Sequence, residues 1–419
     1  MLFFYRIIIN IVFFLSPLII LIRLFKKKED SVRFKEKFCF FSKKRIKGKI
    51  IWFHGASVGE ILSVIPLIEK LEKNKNIHQI LITSNTLSSS KILSNLKLKK
   101  TIHQFFPIDT SYHSKKFLEY WKPSSAIFID SEIWPNMINN IKKKSIPLIL
   151  LNARITKKTF KRWKKFPKSS KSLFKKFDAC FVSNNETKRY LKSLDAKNIN
   201  YIGNLKFSQT QQDAKKLDKT IKSKFFFKKI WCATSTHNGE EKLCGIVHKK
   251  LKKRYKNLLT IIIPRHIERI DNIIDELKKL ELKIQIYNPS NKIKKDTDIC
   301  LINTYGKTKT FFKFCDTVFL GGSIVKHGGQ NPIEAARFGC KIIHGPNIWN
   351  FHEIYQLLNK HGVSYKVNSV NQMTSIVDNM FKRKKNDKNI KIRINDLGNK
   401  ILNLTLKKLS PLINKNEII

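Results

Sequence analysis

Short apolar runs alternate with longer amphipathic segments through most of this 419-residue chain. The apolar runs lie at 50–53, 80–83, 126–129, 148–151, 179–182 and 201–202, and then at 230–233, 258–263, 284–287, 299–302, 318–320 and 342–343. Helical patterns between them include 61–71, 137–143 and 186–194. Strands separated by helices are typical of an α/β fold with a parallel sheet. The sequence therefore predicts two doubly wound, Rossmann-like domains that face a cleft.

A polar, lysine-rich stretch at 208–225 interrupts the alternation. Such a stretch between two periodic regions is typical of an interdomain linker. We therefore expect a first domain at 29–207 and a second domain at 226–419, with a separate N-terminal anchor at 1–28.

The N-terminal segment 2–22 is almost wholly apolar, although Arg6, Asn10 and Pro17 interrupt it, and basic residues follow at 23–28. About twenty apolar residues can just span a bilayer, with Arg6 reaching back to the interface. The basic flank would then hold the rest of the chain on the cytoplasmic side of the inner membrane. The alternative is a helix that lies in the membrane interface, which Asn10 and Pro17 favour.

The net charge of +52 is high enough to suggest an anionic partner. Because the lysines are spread along the whole chain, the charge favours a position beside anionic lipid over nucleic acid, and we expect no nucleic-acid partner. The seven cysteines include no Cys-x-x-Cys pair. They are therefore predicted to be free thiols of a reducing compartment, most of them in the core.

The segment 317–340 joins an apolar strand to a helix through glycines at 321–322 and 328–329. Glycines let backbone amides approach a phosphate, and Pro332 suits the first turn of the following helix. In that arrangement Glu334 would accept hydrogen bonds from ribose hydroxyls. The other interpretation is a tight strand-to-helix connection with Glu334 in solvent.

Unusual polar residues gather at the ends of the predicted strands. They lie at 54–60, 130–132, 152–154, 204–206, 235–237, 265–266, 321–323 and 344–346. Ligands of open α/β sheets bind at the carboxyl ends of the strands. Both halves of the chain contribute, so we predict one site in a cleft between the two domains.

Eight motifs occur in order along the chain: HGASVGE (54–60), DSEIWPN (130–136), LNARIT (151–156), GNLKF (203–207), ATSTHNGEE (233–241), IPRHIER (263–269), GGSIVKHGGQNPIEAA (321–336) and HGPNIWNFHEI (344–354). Through them the chain resembles the 3-deoxy-D-manno-octulosonic acid (Kdo) transferases of lipopolysaccharide assembly. The resemblance implies a GT-B glycosyltransferase fold without a bound metal or cofactor. It also implies transfer of Kdo from CMP-Kdo to the lipid A precursor lipid IVA, with inversion at the sugar.

The resemblance assigns three catalytic residues. Glu60 would be the base that takes the proton of the acceptor, and Lys206 and Asp130 would stabilise the transition state. Members of the family usually carry glutamate at the position of Asp130, so Glu132 could share or carry its role. Taken without the family, Glu60 is a helix-start carboxylate, Lys206 a surface lysine, and either other acid a helix N-cap.

The resemblance also implies the residues that contact CMP. They are Pro264, Arg265, Tyr305, Gly306, Lys307, Asn331, Pro332, Ile333 and Glu334. Arg265 is the cation that can grip phosphate oxygens in a forked geometry. Histidines occur near these positions, but their spacing does not match H-E-x-x-H, and no metal is predicted.

Two rival functions have some support in the sequence. The segment 55–59 satisfies G-x-S-x-G and lies between a strand and a helix, as in serine hydrolases. That function would leave the second domain and its glycine loop without a purpose. A non-catalytic basic protein that binds anionic membrane or nucleic acid is the other rival, and it leaves the polar strand ends unexplained.

Overall fold

The computed structural model describes residues 2–209, 229–382 and 388–414. Contacts divide the chain into a first unit, Met1–Thr210 with Leu397–Ile419, and a second unit, Gln211–Asp396. The predicted second domain extended to the C-terminus, whereas the structure groups the last part of the chain with the first unit. Apart from Ser208 and Gln209, the predicted linker lies outside the described residues.

The first unit contains one seven-stranded parallel sheet of order β3-β2-β1-β4-β5-β6-β7. Its strands are β1 (Ile50–His54), β2 (Gln79–Ser84), β3 (Thr101–Phe105), β4 (Ser125–Ile129), β5 (Leu148–Ala153), β6 (Ala179–Val182) and β7 (Ile199–Tyr201). Its helices are α1 (Leu2–Phe25), α2 (Val58–Leu71), α3 (Leu87–Ser94), α4 (Ser111–Trp121), α5 (Pro135–Lys143), α6 (Lys157–Lys164), α7 (Pro167–Phe174) and α8 (Asn185–Ser193). Short 3-10 turns lie at Arg33–Phe38 and Leu205–Ser208.

The second unit contains another seven-stranded parallel sheet, of order β10-β11-β9-β8-β12-β13-β14. Its strands are β8 (Lys229–Thr236), β9 (Leu258–Pro264), β10 (Ile284–Ile286), β11 (Ile299–Leu301), β12 (Thr317–Leu320), β13 (Lys341–His344) and β14 (Ser364–Lys366). The helices are α9 (Glu240–Lys252), α10 (Ile270–Lys278), α11 (Thr308–Phe312), α12 (Ile333–Arg337), α13 (His352–Lys360) and α14 (Val370–Lys382), with a 3-10 turn at Ile267–Arg269. The C-terminal helix α15 (Lys388–Asn414) begins in this unit and belongs to the first unit from Leu397 onward.

The central strands are apolar runs because both faces of each sheet are covered. Every residue of β1, β4 and β9 is buried, as expected for parallel strands between helices. Each predicted strand overlaps an observed one, so the two α/β domains are confirmed. The sequence did not reveal β3 and β14, which are edge strands with polar residues such as His103 and Gln104. An edge strand has one neighbour, and its apolar signal is correspondingly weak.

All seven cysteines are buried free thiols, as predicted. Two switch points, where the strand order reverses, lie between β1 and β4 in one sheet and between β8 and β12 in the other. Connections leave such neighbouring strands in opposite directions, so a crevice opens at their carboxyl ends.

The N-terminal helix α1 is the one helix in the described ranges that is long and apolar enough to cross a membrane. That criterion is also met by core helices and signal sequences, so it allows an anchor without requiring one. The helix packs on α5. Arg6 was expected to reach the membrane interface, but its Nε donates instead to Asn136 Oδ1 at 3.1 Å. At the other end, Arg23 pairs with Glu29 at 2.9 Å.

Candidate active site

The acidic residues of the first unit lie at its switch point. The segment 54–60 begins at the last residue of β1, and the segment 130–134 follows the neighbouring strand β4. Two motifs that are about seventy residues apart in the sequence therefore share one crevice.

Glu60 is fixed by the first turn of α2. Ser57 is the N-cap and accepts a hydrogen bond from Glu60 N, while the carboxylate of Glu60 accepts from Ser57 N. Its Oε2 also accepts from Ala56 N at 2.7 Å. This capping box confirms the helix-start position, and it also holds the carboxylate in one orientation. The carboxylate therefore does not need to be ordered again when a substrate arrives.

The pKa of Glu60 is raised to about 7, first by burial and then by the negative charges of Glu132 and Asp130. Hydrogen bonds from Ser57 oppose that rise in the pKa. A carboxylate with a pKa near neutrality is suited to take a proton from a hydroxyl at physiological pH. Glu60 thus has the properties of a general base as well as those of a capping residue.

Asp130 lies at the end of β4 with a φ of 56°. Aspartate is one of the few residues that tolerate this left-handed conformation. Its Oδ2 lies 3.6 Å from Lys206 Nζ, and its Oδ1 accepts a hydrogen bond from Asn152 Nδ2. Burial raises the pKa of Asp130, although Lys206 and Asn152 oppose the rise. The short side chain therefore contacts Lys206, the other residue to which the resemblance assigns transition-state stabilisation.

Asn152 is one of the polar strand-end residues from which the site was predicted, although no role was assigned to it, and it joins two motifs. Besides donating to Asp130, it accepts from Leu205 N through its Oδ1 at 2.9 Å. It is buried and has a φ of 55°. The LNARIT motif therefore positions the loop that carries Lys206. Its position near the carboxyl end of β5 was the available signal, because polar residues at strand ends define the site.

The loop with Lys206 rests on the C-terminal helix. Gly398 of α15 lies against the carbonyl of Phe207, where a Cβ would collide, and Ile401 packs beside Gly203. This packing explains why the residues from Leu397 onward belong to the first unit.

Glu132 belongs to a separate hydrogen-bonded network. Its Oε2 lies 3.2 Å from His54 Nε2 and accepts from Trp134 Nε1 at 2.8 Å. His54 is fully buried, and its Nδ1 lies 2.9 Å from Thr83 Oγ1. Trp52 Nε1 donates to the same hydroxyl. The Thr83 hydroxyl can therefore donate to His54 Nδ1. In that tautomer, the Nε2–H of His54 donates to the Glu132 carboxylate.

In the second unit, the amides of the glycine loop already bind an anion that belongs to the protein. Glu240 Oε2 accepts from Gly322 N at 2.7 Å, and its Oε1 accepts from Ser323 N at 3.1 Å and Ile324 N at 2.9 Å. His237 N also donates to Oε2, at 2.9 Å. The prediction that the glycines hold an anion was right in its chemistry, but the anion at these amides is the buried carboxylate of α9.

The residues predicted to contact CMP lie at ends of elements in the second unit. Pro264 ends β9, and Arg265 is exposed beyond it. Tyr305 and Gly306 are also exposed, and Lys307 is half-buried just before α11.

The segment 331–334 leads into the short helix α12, where Asn331 Oδ1 accepts from Ile333 N at 3.2 Å. Glu334 pairs with Lys309 of α11 at 3.1 Å. The ion pair links the segment 331–334 to α11, the helix that follows the turn at 305–307.

Three histidines group beside these segments. The rings of His237 and His327 are 4.2 Å apart, and those of His237 and His266 are 5.8 Å apart. Burial and then the neighbouring His327 lower the pKa of His237. Its Nε2 is buried without a hydrogen-bond partner within the described ranges. Among those residues, no group of three or more His, Cys, Asp or Glu side chains can hold a metal ion.

Comparison with known proteins identifies the family. The family model described as "3-Deoxy-D-manno-octulosonic-acid transferase (kdotransferase)" matches residues 32–209. The 3-deoxy-D-manno-octulosonic acid transferase of Rickettsia bellii is 34% identical over 344 residues, which cover 80% of this chain and 81% of that protein. The chain belongs to the Kdo transferase family. A probable mitochondrial Kdo transferase of Arabidopsis thaliana is 31% identical, with 85% of this chain and 83% of that protein covered.

Membership confirms that the protein is a glycosyltransferase that transfers Kdo in lipopolysaccharide biosynthesis. A putative UDP-N-acetylglucosamine 2-epimerase from Listeria monocytogenes is similar in structure, with a TM-score of 0.59 and 13% identity over 87% of this chain and 96% of that one. At that identity the likeness concerns the fold alone, and it supports the predicted GT-B type.

The hydrolase alternative is wrong. The hydroxyl of Ser57 accepts the Glu60 amide hydrogen bond as the N-cap of α2, and His54 is engaged with Thr83 and Glu132. The G-x-S-x-G pattern is therefore a helix start. The alternative of a non-catalytic basic protein is also wrong, because the family is one of enzymes.

Proposed function

We propose that this Kdo transferase moves Kdo from CMP-Kdo to a hydroxyl of the lipid A precursor lipid IVA, with inversion at the sugar. In this proposal the first unit binds the acceptor and carries the base. The second unit binds the CMP part of the donor.

The observation that carries the proposal is the state of Glu60, a fixed carboxylate with a pKa of about 7. The acceptor oxygen forms a bond to the anomeric carbon of Kdo and gives its proton to Glu60. The bond from that carbon to the phosphate oxygen breaks, and its electron pair leaves with CMP. Attack from the face opposite the departing phosphate inverts the sugar, and a base on the acceptor side fits that geometry.

Lys206 would stabilise the negative charge that develops on the departing phosphate. Asp130 orients the Lys206 ammonium at 3.6 Å, and Asn152 holds Asp130. We assign Glu132 a different role, because its contacts are to His54 and Trp134 and its charge raises the pKa of Glu60. The second acidic role therefore goes to Asp130, and Glu132 adjusts the base.

For the donor we propose contacts to CMP from the three segments of the second unit. Arg265 and the backbone after β9 would bind the phosphate, and Asn331 and Glu334 the ribose and base. Tyr305, Gly306 and Lys307 would contribute through the backbone, since Tyr305 is exposed and Gly306 has a φ of 80°.

We further propose that α1 holds the enzyme to inner-membrane lipids on the cytoplasmic side by lying in the interface. One face of the helix contacts the first unit from Tyr5 to Arg23, while Phe4, Phe14 and other apolar residues point away from the protein. A spanning orientation would draw the polar partners of those contacts into hydrocarbon, at a cost of several kcal/mol for each unsatisfied group. This geometry supports the interfacial alternative.

The proposed reaction is tested by incubating the purified protein with CMP-Kdo and tetraacylated lipid A precursor, and examining the products by mass spectrometry. A lipid product heavier by one or more Kdo units supports the proposed acceptor. Hydrolysis of CMP-Kdo without a Kdo-modified lipid would contradict it.

The donor assignment predicts a loss of CMP affinity in the Arg265→Ala variant. The loss should be about 1 to 3 kcal/mol, because a charge-assisted hydrogen bond to phosphate is removed. Isothermal calorimetry with CMP measures it. Arg254→Ala is the matched control, since Arg254 is an exposed arginine of the same unit that pairs with Asp378. Equal CMP affinity in wild type and the Arg265 variant would contradict the donor assignment.

The role of Glu132 predicts a change in the pH profile of the Glu132→Gln variant. Glutamine can accept the same hydrogen bonds from His54 and Trp134, but it removes a negative charge that raises the pKa of Glu60. The pKa of Glu60 should fall, so the acid limb of kcat/KM should move to lower pH. Glu69→Gln removes an exposed charge from α2, the helix that carries Glu60, and should leave the acid limb of kcat/KM in place. If the acid limb of Glu132→Gln stays at the wild-type pH, Glu132 does not adjust the pKa of Glu60.

A further inference from the structure

Two polar residues of the apolar helix α1 face the protein. Tyr5 Oη donates to Asp109 Oδ2 at 2.7 Å, and Arg6 Nε donates to Asn136 Oδ1 at 3.1 Å. Their neighbour Phe4 is 67% exposed and points away. In the first turns of α1, one face is therefore apolar and exposed, and the other makes hydrogen bonds to the rest of the first unit.

Asp109 connects α1 to the start of α5. Its side chain is buried, and it accepts from Asn136 N at 3.1 Å and Met137 N at 2.8 Å in addition to Tyr5. The carbonyl of Asp109 accepts from Asn136 Nδ2 at 2.6 Å. The residue at the N-cap of α5, Trp134, makes no side-chain capping bond. Asp109 therefore satisfies the free amides at this helix start in its place.

The start of α5 is also the end of the segment 130–134. That segment begins at Asp130, which contacts Lys206, and includes Glu132, which Trp134 holds by its indole N–H. Pro135 follows at once as the first residue of α5. Whatever fixes the first turn of α5 therefore fixes one end of the acidic segment.

We propose that Tyr5 and Arg6 are positioning residues for the acidic segment 130–134, so that α1 sets the geometry of the active site as well as holding the enzyme at a lipid surface. This inference rests on the proposed function, in which Asp130 orients Lys206 and Glu132 adjusts the pKa of Glu60. The sequence placed α1 outside the site, since every predicted site residue lies beyond it.

The chemistry of Asp109 explains why α1 matters to this turn. Burial raises the pKa of Asp109 to about 7, and the hydrogen bonds from Tyr5, Asn136 and Met137 oppose the rise. Loss of the Tyr5 hydroxyl removes one donor from a buried carboxyl group and weakens its acceptor role at α5. The turn that ends the acidic segment then becomes looser.

The test uses the full chain with dispersed acceptor, so that membrane binding does not limit the reaction. The variants Tyr5→Phe and Arg6→Met remove one polar bond each and keep the apolar bulk. We expect kcat to fall on the order of tenfold in each, because small misplacements of catalytic groups have large effects on rate. The KM for CMP-Kdo and the calorimetric affinity for CMP should be unchanged.

Phe4→Ala is the matched control, since it alters the exposed face of the same turn. It should weaken binding to anionic vesicles and keep the wild-type kcat on dispersed acceptor. An equal loss of kcat in Phe4→Ala and Tyr5→Phe would overturn the proposal, because apolar contact alone would then explain the effect. A kcat within twofold of wild type in both Tyr5→Phe and Arg6→Met, with amide exchange at Asn136 and Met137 also unchanged, would overturn it as well.

Amide hydrogen exchange tests the same proposal without measuring the reaction. Exchange at Asn136 and Met137 should be faster in Tyr5→Phe than in wild type and unchanged in Phe4→Ala. Unchanged exchange in Tyr5→Phe would overturn the positioning role, whatever acceptor the enzyme uses. Faster exchange together with a wild-type kcat would show that α1 fixes the turn but that the acids do not act as proposed.

Discussion

The Glu60→Gln variant should lose at least about a hundredfold in Kdo transfer, which is the usual contribution of a general base. Glutamine has nearly the same shape, and its carbonyl oxygen can still accept from Ala56 N and Ser57 N. The cap of α2 should therefore survive, while proton transfer from the acceptor is lost. Initial rates of transfer to dispersed lipid A precursor measure the effect.

Two measurements separate lost chemistry from lost structure. CMP affinity should be unchanged in Glu60→Gln, because Glu60 lies in the first unit and the proposed CMP contacts lie in the second. Glu69→Gln makes the same chemical change on an exposed part of α2 and should retain wild-type turnover. Turnover near the wild-type value in Glu60→Gln would show that Glu60 is not the base.

The pH dependence of wild-type kcat/KM also tests the role of Glu60 as the base. The base must be deprotonated to act, so kcat/KM should rise as the pH increases through about 7, the pKa of Glu60. In Glu60→Gln the residual activity should not show that rise. An ordinary glutamate would be deprotonated already near pH 5, so the position of the limb tests the effect of burial and of the neighbouring acids.

The sequence predicted the parts of this site that local patterns encode. Apolar runs located the central strands, and the HGASVGE motif located Glu60 at a helix start. The raised pKa of Glu60 could not be predicted in this way. It depends on the approach of Glu132 and Asp130, which follow a different strand and meet Glu60 only through the pairing of β1 with β4.

Contacts between residues far apart in the sequence could not be predicted either, because they too depend on the tertiary structure. The bond from Tyr5 to Asp109 joins residues 104 positions apart, and that from Gly322 to Glu240 joins residues 82 positions apart. The glycine pattern correctly indicated amides that need an anion. Nothing in the local sequence indicates that a glutamate from another helix supplies it.

Glu240 should therefore be among the most sensitive residues of the second unit. Its carboxylate is fully buried and accepts from four backbone amides, those of His237, Gly322, Ser323 and Ile324. In Glu240→Gln one oxygen becomes an NH₂ group that faces N–H donors. Unsatisfied buried donors cost about 1 to 3 kcal/mol each, so we expect a loss of about 3 kcal/mol or more in the free energy of unfolding.

Urea unfolding measures this loss, and hydrogen exchange at Gly322, Ser323 and Ile324 locates it. Glu281→Gln is the matched control, because the Glu281 side chain is 84% exposed and pairs only with Lys249 among its described contacts. It should change the free energy of unfolding by less than about 0.5 kcal/mol. A Glu240→Gln protein with the same free energy of unfolding as wild type would contradict this role of the Glu240 carboxylate.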